Sequence, residues 1–203
     1  LTLATMRASI AMLLATATQA FRPMRGGAAR RGLATKAVAA ADATLVPREV
    51  LFGNPEYASP TITPDGGMLA YLRPVDGVMN AWVRSPAGGD DRVVTADTYR
   101  GIRQIFWAED SKTLLYMQDF GGDENFHLFA VDVSKEGSKA RDLTPFDGAK
   151  AQNVITNKRF PDELLVAVNA RDKAQFDMYR VQLESGAIEL DTENPGGIVG
   201  WGS

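Results

Sequence analysis

This sequence has little with which to build a Ser-His or Cys-His catalytic pair. It contains one histidine, His127, and no cysteine. An imidazole that activates a protein nucleophile needs a hydroxyl or thiol within hydrogen-bond reach, and a metal site needs further ligands. His127 lies in a strand-like run without a serine or cysteine partner, which favours a strand residue over a base or ligand. Without cysteine, the chain has no disulfide, thiolate metal site or cysteine nucleophile.

Three acidic residues, Asp119, Asp123 and Glu124, lie around a Gly-Gly pair and could hold a cation through oxygen ligands. Their spacing does not match a Ca²⁺-binding loop. A hairpin turn capped by Asp and Asn side chains explains them better, since these side chains bind nearby backbone groups. No metal site is predicted.

Two arginines and three tryptophans are candidates for ligand binding. Arg100 and Arg103 could bind a substrate carboxylate through their forked donors, although pairing with acidic residues of neighbouring segments is favoured. Trp82, Trp107 and Trp201 could stack on a ligand, but they fall on strand positions of an internal repeat, which favours the core. We therefore predict no catalytic, cofactor-binding or metal-binding residue in this chain.

Charge is unevenly distributed along the chain. No acidic residue precedes Asp42 but six basic residues do, so the formal net charge of −3 divides into +6 before Asp42 and −9 from there on. An acidic body without Lys/Arg clusters lacks the positive surface that binds nucleic acid. Nucleic-acid binding is not expected.

Residues 1–44 have the composition of a targeting leader, which is excluded from the fold. From Met6, a basic residue precedes the apolar run Ala8–Ala17 and small residues up to Ala20, the pattern of a secretory signal. This run is shorter than the ~20 residues that span a bilayer as a helix. No membrane is expected among the partners of the mature form. The basic, acid-free stretch after Phe21 is typical of a transit peptide.

The leader leaves three interpretations open. The junction around Phe21 resembles the signal-to-transit junction of algae with secondary plastids and predicts the plastid. The segment Arg30–Thr35 resembles a mitochondrial matrix-processing site, which makes the mitochondrion the alternative. The third interpretation is that part of this region lies upstream of the true start.

From residue 45 onward the chain repeats a unit of four short apolar runs. The spacing from Trp82 to Leu128 is 46 residues, and from Leu128 to Tyr179 it is 51. The runs are rich in β-branched and aromatic residues and are bounded by Gly, Pro and Asp, which indicates strands rather than helices. Four strands per ~40–50 residues is the period of a propeller blade.

Individual strands follow from this repeat. An Asp-containing turn is predicted between the first two strands of each unit, at Asp65, at Asp110 and at Pro161–Asp162. The predicted third and fourth strands are, in turn, Asn80–Arg84 and Arg92–Thr95, His127–Val131 and Ala140–Thr144, and Asp177–Val181 and Ala187–Leu190.

A further unit opens at Gly197–Trp201, and the sequence ends at Ser203. Propellers close their ring with about four to eight blades, and uncovered sheet edges promote aggregation. The expectation is a fragment of a longer protein with an all-β fold. Residues 45–203 form an incomplete β-propeller domain, a partial β-propeller of about three four-stranded blades plus the start of the next.

Several stretches resemble the propeller of the prolyl oligopeptidase family of serine peptidases, in its acylaminoacyl-peptidase and dipeptidyl-aminopeptidase-like branch. They cover most of the globular part: Val46–Pro60, Asp76–Val83, Thr98–Arg103, Gly122–Leu128 and Asp142–Phe146. As a set they are fairly specific, whereas the Pro-Asp-Gly turn alone recurs in many propellers.

The resemblance implies a propeller that precedes an α/β-hydrolase domain carrying Ser, Asp and His. No Gly-x-Ser-x-Gly nucleophile elbow occurs in this chain, so the implied role is to limit access of peptide substrates to a hydrolase domain that lies outside it. No cofactor is implied. The alternative is a non-catalytic propeller scaffold for protein–protein interaction, because propellers host many functions.

Overall fold

A computed structural model describes residues 46–197, 200 and 201. The predicted leader, residues 1–44, lies outside the described residues. The described part contains one short helix, α1 (Arg48–Phe52), and twelve strands in three four-stranded antiparallel sheets. The predicted all-β fold is confirmed.

The first sheet follows chain order, and its strands are β1 (Ala58–Ile62), β2 (Leu69–Val75), β3 (Val78–Arg84) and β4 (Arg92–Val93). The β1–β2 turn forms at Asp65, as predicted, where the carboxylate accepts hydrogen bonds from the Thr63 hydroxyl at 2.6 Å and the Gly67 N–H at 2.9 Å. Asp76 and Gly77, both at positive φ, make the tight β2–β3 turn. Asp-Gly is a preferred pair for this hairpin turn because both residues must adopt a left-handed backbone conformation.

The second sheet has the same order, with strands β5 (Ile105–Trp107), β6 (Thr113–Gln118), β7 (His127–Asp132) and β8 (Arg141–Asp142). Its predicted turn at Asp110 is confirmed. The Asp110 carboxylate accepts hydrogen bonds from the Thr113 N–H at 2.8 Å and the Thr113 hydroxyl at 2.6 Å.

The third sheet contains β9 (Ala151–Asn157), β10 (Phe160–Asp172), β11 (Gln175–Gln182) and β12 (Ile188–Thr192). Here the predicted turn at Pro161–Asp162 is wrong, because both residues lie inside β10 and the turn is made by residues 158 and 159. The Asn157 side chain accepts the Arg159 N–H at 2.9 Å and closes this two-residue turn. A register shift between Phe160 and Leu164 accommodates the proline, which has no N–H to donate.

The predicted third strands fall within β3, β7 and β11, but the fourth strands of the first two sheets are shorter than predicted. The reason is a threonine beyond each of them. The Thr95 hydroxyl accepts the Ala81 N–H at 2.9 Å, and the Thr144 hydroxyl accepts the Leu128 N–H at 2.9 Å. A side-chain oxygen therefore replaces the strand carbonyl, and regular pairing ends.

The sheets pack face to face through two buried clusters. Alternation along β6 places Leu114 and Tyr116 in the cluster shared with the first sheet, and Leu115 in the cluster shared with the third. Leu128 of β7 and Val166 of β10 are fully buried in the second cluster. The second sheet is thus covered on both faces, as the middle blade of a propeller segment is.

Of the predicted opening of a further unit, residues 198 and 199 lie outside the described residues, and Gly200 and Trp201 are not in a strand. No helix in the described part of the chain is long and apolar enough to cross a membrane.

Candidate functional site

His127 is the first residue of β7 and is buried. Its Nδ1 lies 2.7 Å from a carboxylate oxygen of Asp142, and the edge of the ring meets the Phe120 ring at a centroid distance of 5.1 Å. The imidazole therefore links β7 to β8 and supports the β6–β7 loop.

The acidic residues of that loop bind its backbone. Asp123 accepts hydrogen bonds from the N–H groups of Phe120 at 3.3 Å and Asn125 at 3.1 Å. Burial acts to raise the pKa of Asp123, but the hydrogen bonds from Asn125 and Phe120 outweigh it and hold that pKa below its ordinary value. Asp119 accepts the Glu124 N–H at 3.3 Å. Among the described residues, no three His, Asp or Glu side chains are grouped closely enough to hold a metal ion.

The two candidate arginines have different environments. Arg100 pairs with the buried carboxylate of Asp119 at 3.4 Å, as predicted. Arg103 is exposed and makes no ion pair with any described residue. The predicted pairing with local acids is therefore correct for Arg100 and wrong for Arg103.

Arg103 borders a pocket of about 550 Å³ between the second and third sheets, which we call the Arg103 pocket. Its volume is in the range of small-molecule sites, ~300–1,000 Å³. Its lining combines one cation, three amide side chains and an apolar floor: Arg103, Gln104, Phe106, Met117, Phe126, Ala151, Gln152, Asn153 and Val154.

A β-bulge positions the amides on one side of this pocket. Gln152 pairs with Ala167 and Ile155 with Leu165, so two residues of β9 face one of β10 between them. Asn153 adopts a φ of 49° there, a left-handed conformation that Asn tolerates. A bulge leaves backbone groups unpaired and redirects the side chain, and here it brings Asn153 to the pocket.

The same irregularity occurs in the first sheet, where Ser59 has a φ of 50° and the β1–β2 register shifts between Ala58 and Thr61. Ser59 and Asn153 are 94 residues apart, about two repeats. The first strands of the first and third blades therefore share this bulge, whereas β5 pairs with β6 without a register shift, and the third blade places an amide on the bulge. Gln104, Gln152 and Asn153 were not predicted from the sequence as binding residues. A signal was available for Asn153, which lies two repeats after Ser59.

The described lining of the pocket carries a positive charge although the body of the chain is acidic. Arg103 is the only charged residue among the described residues of the lining. A second cation is close by, because the Lys150 ammonium lies 5.6 Å from the centroid of the Phe126 ring. Since no described residue of the lining is acidic, the site is electrostatically suited to an anion.

The tryptophans lie elsewhere. Trp107 is buried between the first two sheets, as predicted. Trp82 is partly buried, with the Arg73 guanidinium 5.1 Å from its ring centroid. Trp201 donates from Nε1 to the Phe176 carbonyl at 2.7 Å and lines a second pocket of about 390 Å³, which shares Gln152 with the Arg103 pocket.

No protein-family model matches this chain. Dipeptidyl aminopeptidase BIII of Pseudoxanthomonas mexicana is 46% identical over 159 residues, which is 77% of this chain and 23% of that protein. The chain therefore spans less than a quarter of the length of this curated relative.

Two solved structures share the fold. The β-propeller domain of the Trilobed protease from Pyrococcus furiosus is 21% identical with a TM-score of 0.50, over 68% of this chain and 43% of that one. Prolyl oligopeptidase B from Galerina marginata is 18% identical with a TM-score of 0.52, over 68% and 21%. The partial propeller and the predicted resemblance are confirmed, and the alternative of a non-catalytic scaffold is not favoured.

Proposed function

We propose that this chain, a homologue of the dipeptidyl aminopeptidases with the propeller fold of the prolyl oligopeptidase family, limits access of peptides to a serine hydrolase domain elsewhere in the same polypeptide. The observation that carries the proposal is the 46% identity to a dipeptidyl aminopeptidase of which the chain spans 23%. The remainder of such a polypeptide would supply the nucleophile and base.

The geometry of the described residues supports a binding role. Their single histidine is buried at the start of β7 and held by Asp142, so hydrolysis would depend on side chains outside this chain. The Arg103 pocket, in contrast, offers amide donors and acceptors beside an apolar floor. Such a combination suits an extended peptide, whose backbone amides need partners and whose side chains need apolar contacts.

The experiment is to sequence full-length transcripts beyond Ser203 and to assay the encoded polypeptide on peptide and folded-protein substrates. We expect more blades, then a Gly-x-Ser-x-Gly elbow followed by Asp and His. The polypeptide should cleave short peptides, leave folded proteins intact and lose activity with a serine-directed inhibitor. A genuine stop codon directly after Ser203 would refute the proposal.

We further propose that residues 1–44 direct the protein to an organelle, the plastid in preference to the mitochondrion. The support is the acid-free basic composition and the Ala20–Phe21 junction. Peptides are the proposed partners of the mature protein, with neither nucleic acid nor membrane among them.

A further inference from the structure

Most of the other arginines that the structure describes have a side-chain or backbone acceptor, although Arg48 and Arg159 have none among the described residues. Five of them pair with acidic side chains: Arg73, Arg84, Arg100, Arg171 and Arg180. Arg92 and Arg141 donate to backbone carbonyls. Arg103 does neither within the described residues, although it lies at the rim of a built pocket. Its donors are therefore available to a ligand.

The rest of the pocket specifies what that ligand can be. A guanidinium binds a carboxylate through two parallel hydrogen bonds, and the nearby Lys150 adds attraction for negative charge. Phe106, Met117 and Phe126 are partly buried and offer an apolar floor. A group that combines a carboxylate with an adjacent apolar side chain would use both features together.

We propose that the Arg103 pocket binds the C-terminal residue of a peptide, with the terminal carboxylate on Arg103 and the last side chain against Phe106, Met117 and Phe126. The amides of Gln152 and Asn153 are placed to bind the backbone of the preceding residue. This inference rests on the proposed function and deepens it, since the propeller would then select peptides by their free C-terminus as well as by size.

The test uses the longest native polypeptide that carries this sequence, treated with a serine-directed inhibitor so that peptides are not consumed. The probe is a dansylated Ala-Ala-Ala-Phe peptide with a free C-terminal carboxylate, compared with its C-terminal amide by fluorescence anisotropy. We expect the amide to bind about tenfold more weakly. A charge-assisted hydrogen bond would give more when buried, but Arg103 is exposed and its pairing is screened.

Variants assign the effect to the pocket. Arg103→Gln should weaken binding of the carboxylate peptide about tenfold and leave the amide peptide within twofold, because only the former presents a partner for the guanidinium. Arg103→Lys should lose about threefold, since it keeps the charge but not the fork. The matched control is Arg159→Gln, an equal charge change at the exposed β9–β10 turn, which should leave both affinities unchanged.

The outcomes distinguish a C-terminal carboxylate from a side-chain carboxylate, and they distinguish failure of this inference from failure of the proposed function. Equal binding of the two peptides, or discrimination that survives Arg103→Gln, overturns the inference. A peptide amide with an internal Glu that binds as well as the free C-terminus also overturns it, because the carboxylate would then come from a side chain. Hydrolysis by the uninhibited polypeptide reports on the proposed function independently.

Discussion

Asp177 is a fully buried carboxylate of the third sheet, and Asp177→Asn tests how far its hydrogen bonds stabilise that sheet. The side chain is fully buried on β11. Its two oxygens accept hydrogen bonds from Nε and Nη2 of Arg171 at 2.9 and 2.8 Å, and one also accepts the Asn194 N–H at 2.7 Å. One carboxylate therefore joins β10, β11 and the segment after β12.

The magnitude follows from what asparagine retains. One acceptor oxygen remains, while the charge and one bond to Arg171 are lost. A hydrogen bond to a charged group contributes ~1.5–3 kcal/mol, and removing one partner of a buried pair costs ~3–5 kcal/mol. Arg171 is 39% exposed and can be rehydrated, so the lower range applies. We expect a loss of about 2–3 kcal/mol in local stability, or ~30- to 150-fold in the opening equilibrium.

The assay is amide hydrogen exchange over residues 175–194 in the longest native polypeptide, because exchange reports local opening without requiring two-state unfolding of the whole chain. Asp172→Asn is the matched control on the same hairpin. Its exposed carboxylate accepts only the Ala174 N–H among the described residues, and an amide oxygen can replace it, so the effect should stay below ~0.5 kcal/mol. Exchange accelerated less than about threefold by Asp177→Asn would refute the reasoning.

The pH dependence gives a second readout of the same pair. The hydrogen bond from Arg171 is the main reason that the pKa of Asp177 lies below its ordinary value in the folded state. The stabilisation is therefore complete above the unfolded pKa, about pH 4, and is lost as the pH falls through the lowered folded pKa. The difference in local stability between the unsubstituted protein and the Asp177→Asn variant should be constant from about pH 7 to 5 and shrink below about pH 4. A difference that grows on acidification would contradict this sign.

Two further predictions concern a glycine and the leader. Gly101→Ala should cost about 1–2 kcal/mol more than Gly66→Ala in urea unfolding, since both residues have a positive φ but a Cβ at Gly101 would lie 3.2 Å from the Met79 nitrogen, whereas none of the surroundings of Gly66 comes within 4 Å. Equal losses of unfolding free energy for the two variants would contradict this prediction, because they would show that the backbone at Met79 shifts to accommodate the Cβ without cost. Residues 6–44 fused to a fluorescent protein should enter the plastid. Phe21→Ala should divert plastid import, whereas it would leave import nearly intact if the mitochondrion were the destination. A cytosolic reporter would reject the organellar proposal.

The sequence was informative where a side chain closes a turn with its own hydrogen bonds. Asp65 and Asp110 mark real turns because an Asp side chain closes them with its own hydrogen bonds. Pro161 misled because a proline can also occupy a strand beside a register shift. The fourth strands were overextended because Thr95 and Thr144 look like strand residues but bind the neighbouring strand through their hydroxyls.

The Arg103 pocket lay beyond such reasoning because its lining comes from distant segments. The sequence does not distinguish Arg100 from Arg103. The packing of the β6–β7 loop places Asp119 next to Arg100, and Arg103 has no ion pair among the described residues. Asn153 reaches the pocket because of its bulge. Neither the bulge nor the pairing follows from residue type alone, since both depend on register and on contacts between sheets.

The Arg103 pocket is continuous with the hydrophobic core between the second and third sheets. Phe106, Met117 and Val154 line the pocket and also pack against the cluster that contains Leu115 and Leu128. The apolar floor is therefore the uncovered margin of the inter-sheet core, held in place by residues that are fully buried behind it. A ligand that covers this margin extends the core without first having to order it, and such preorganisation reduces the entropic cost of binding. Packing that joins two blades thus also prepares the surface on which a peptide would bind.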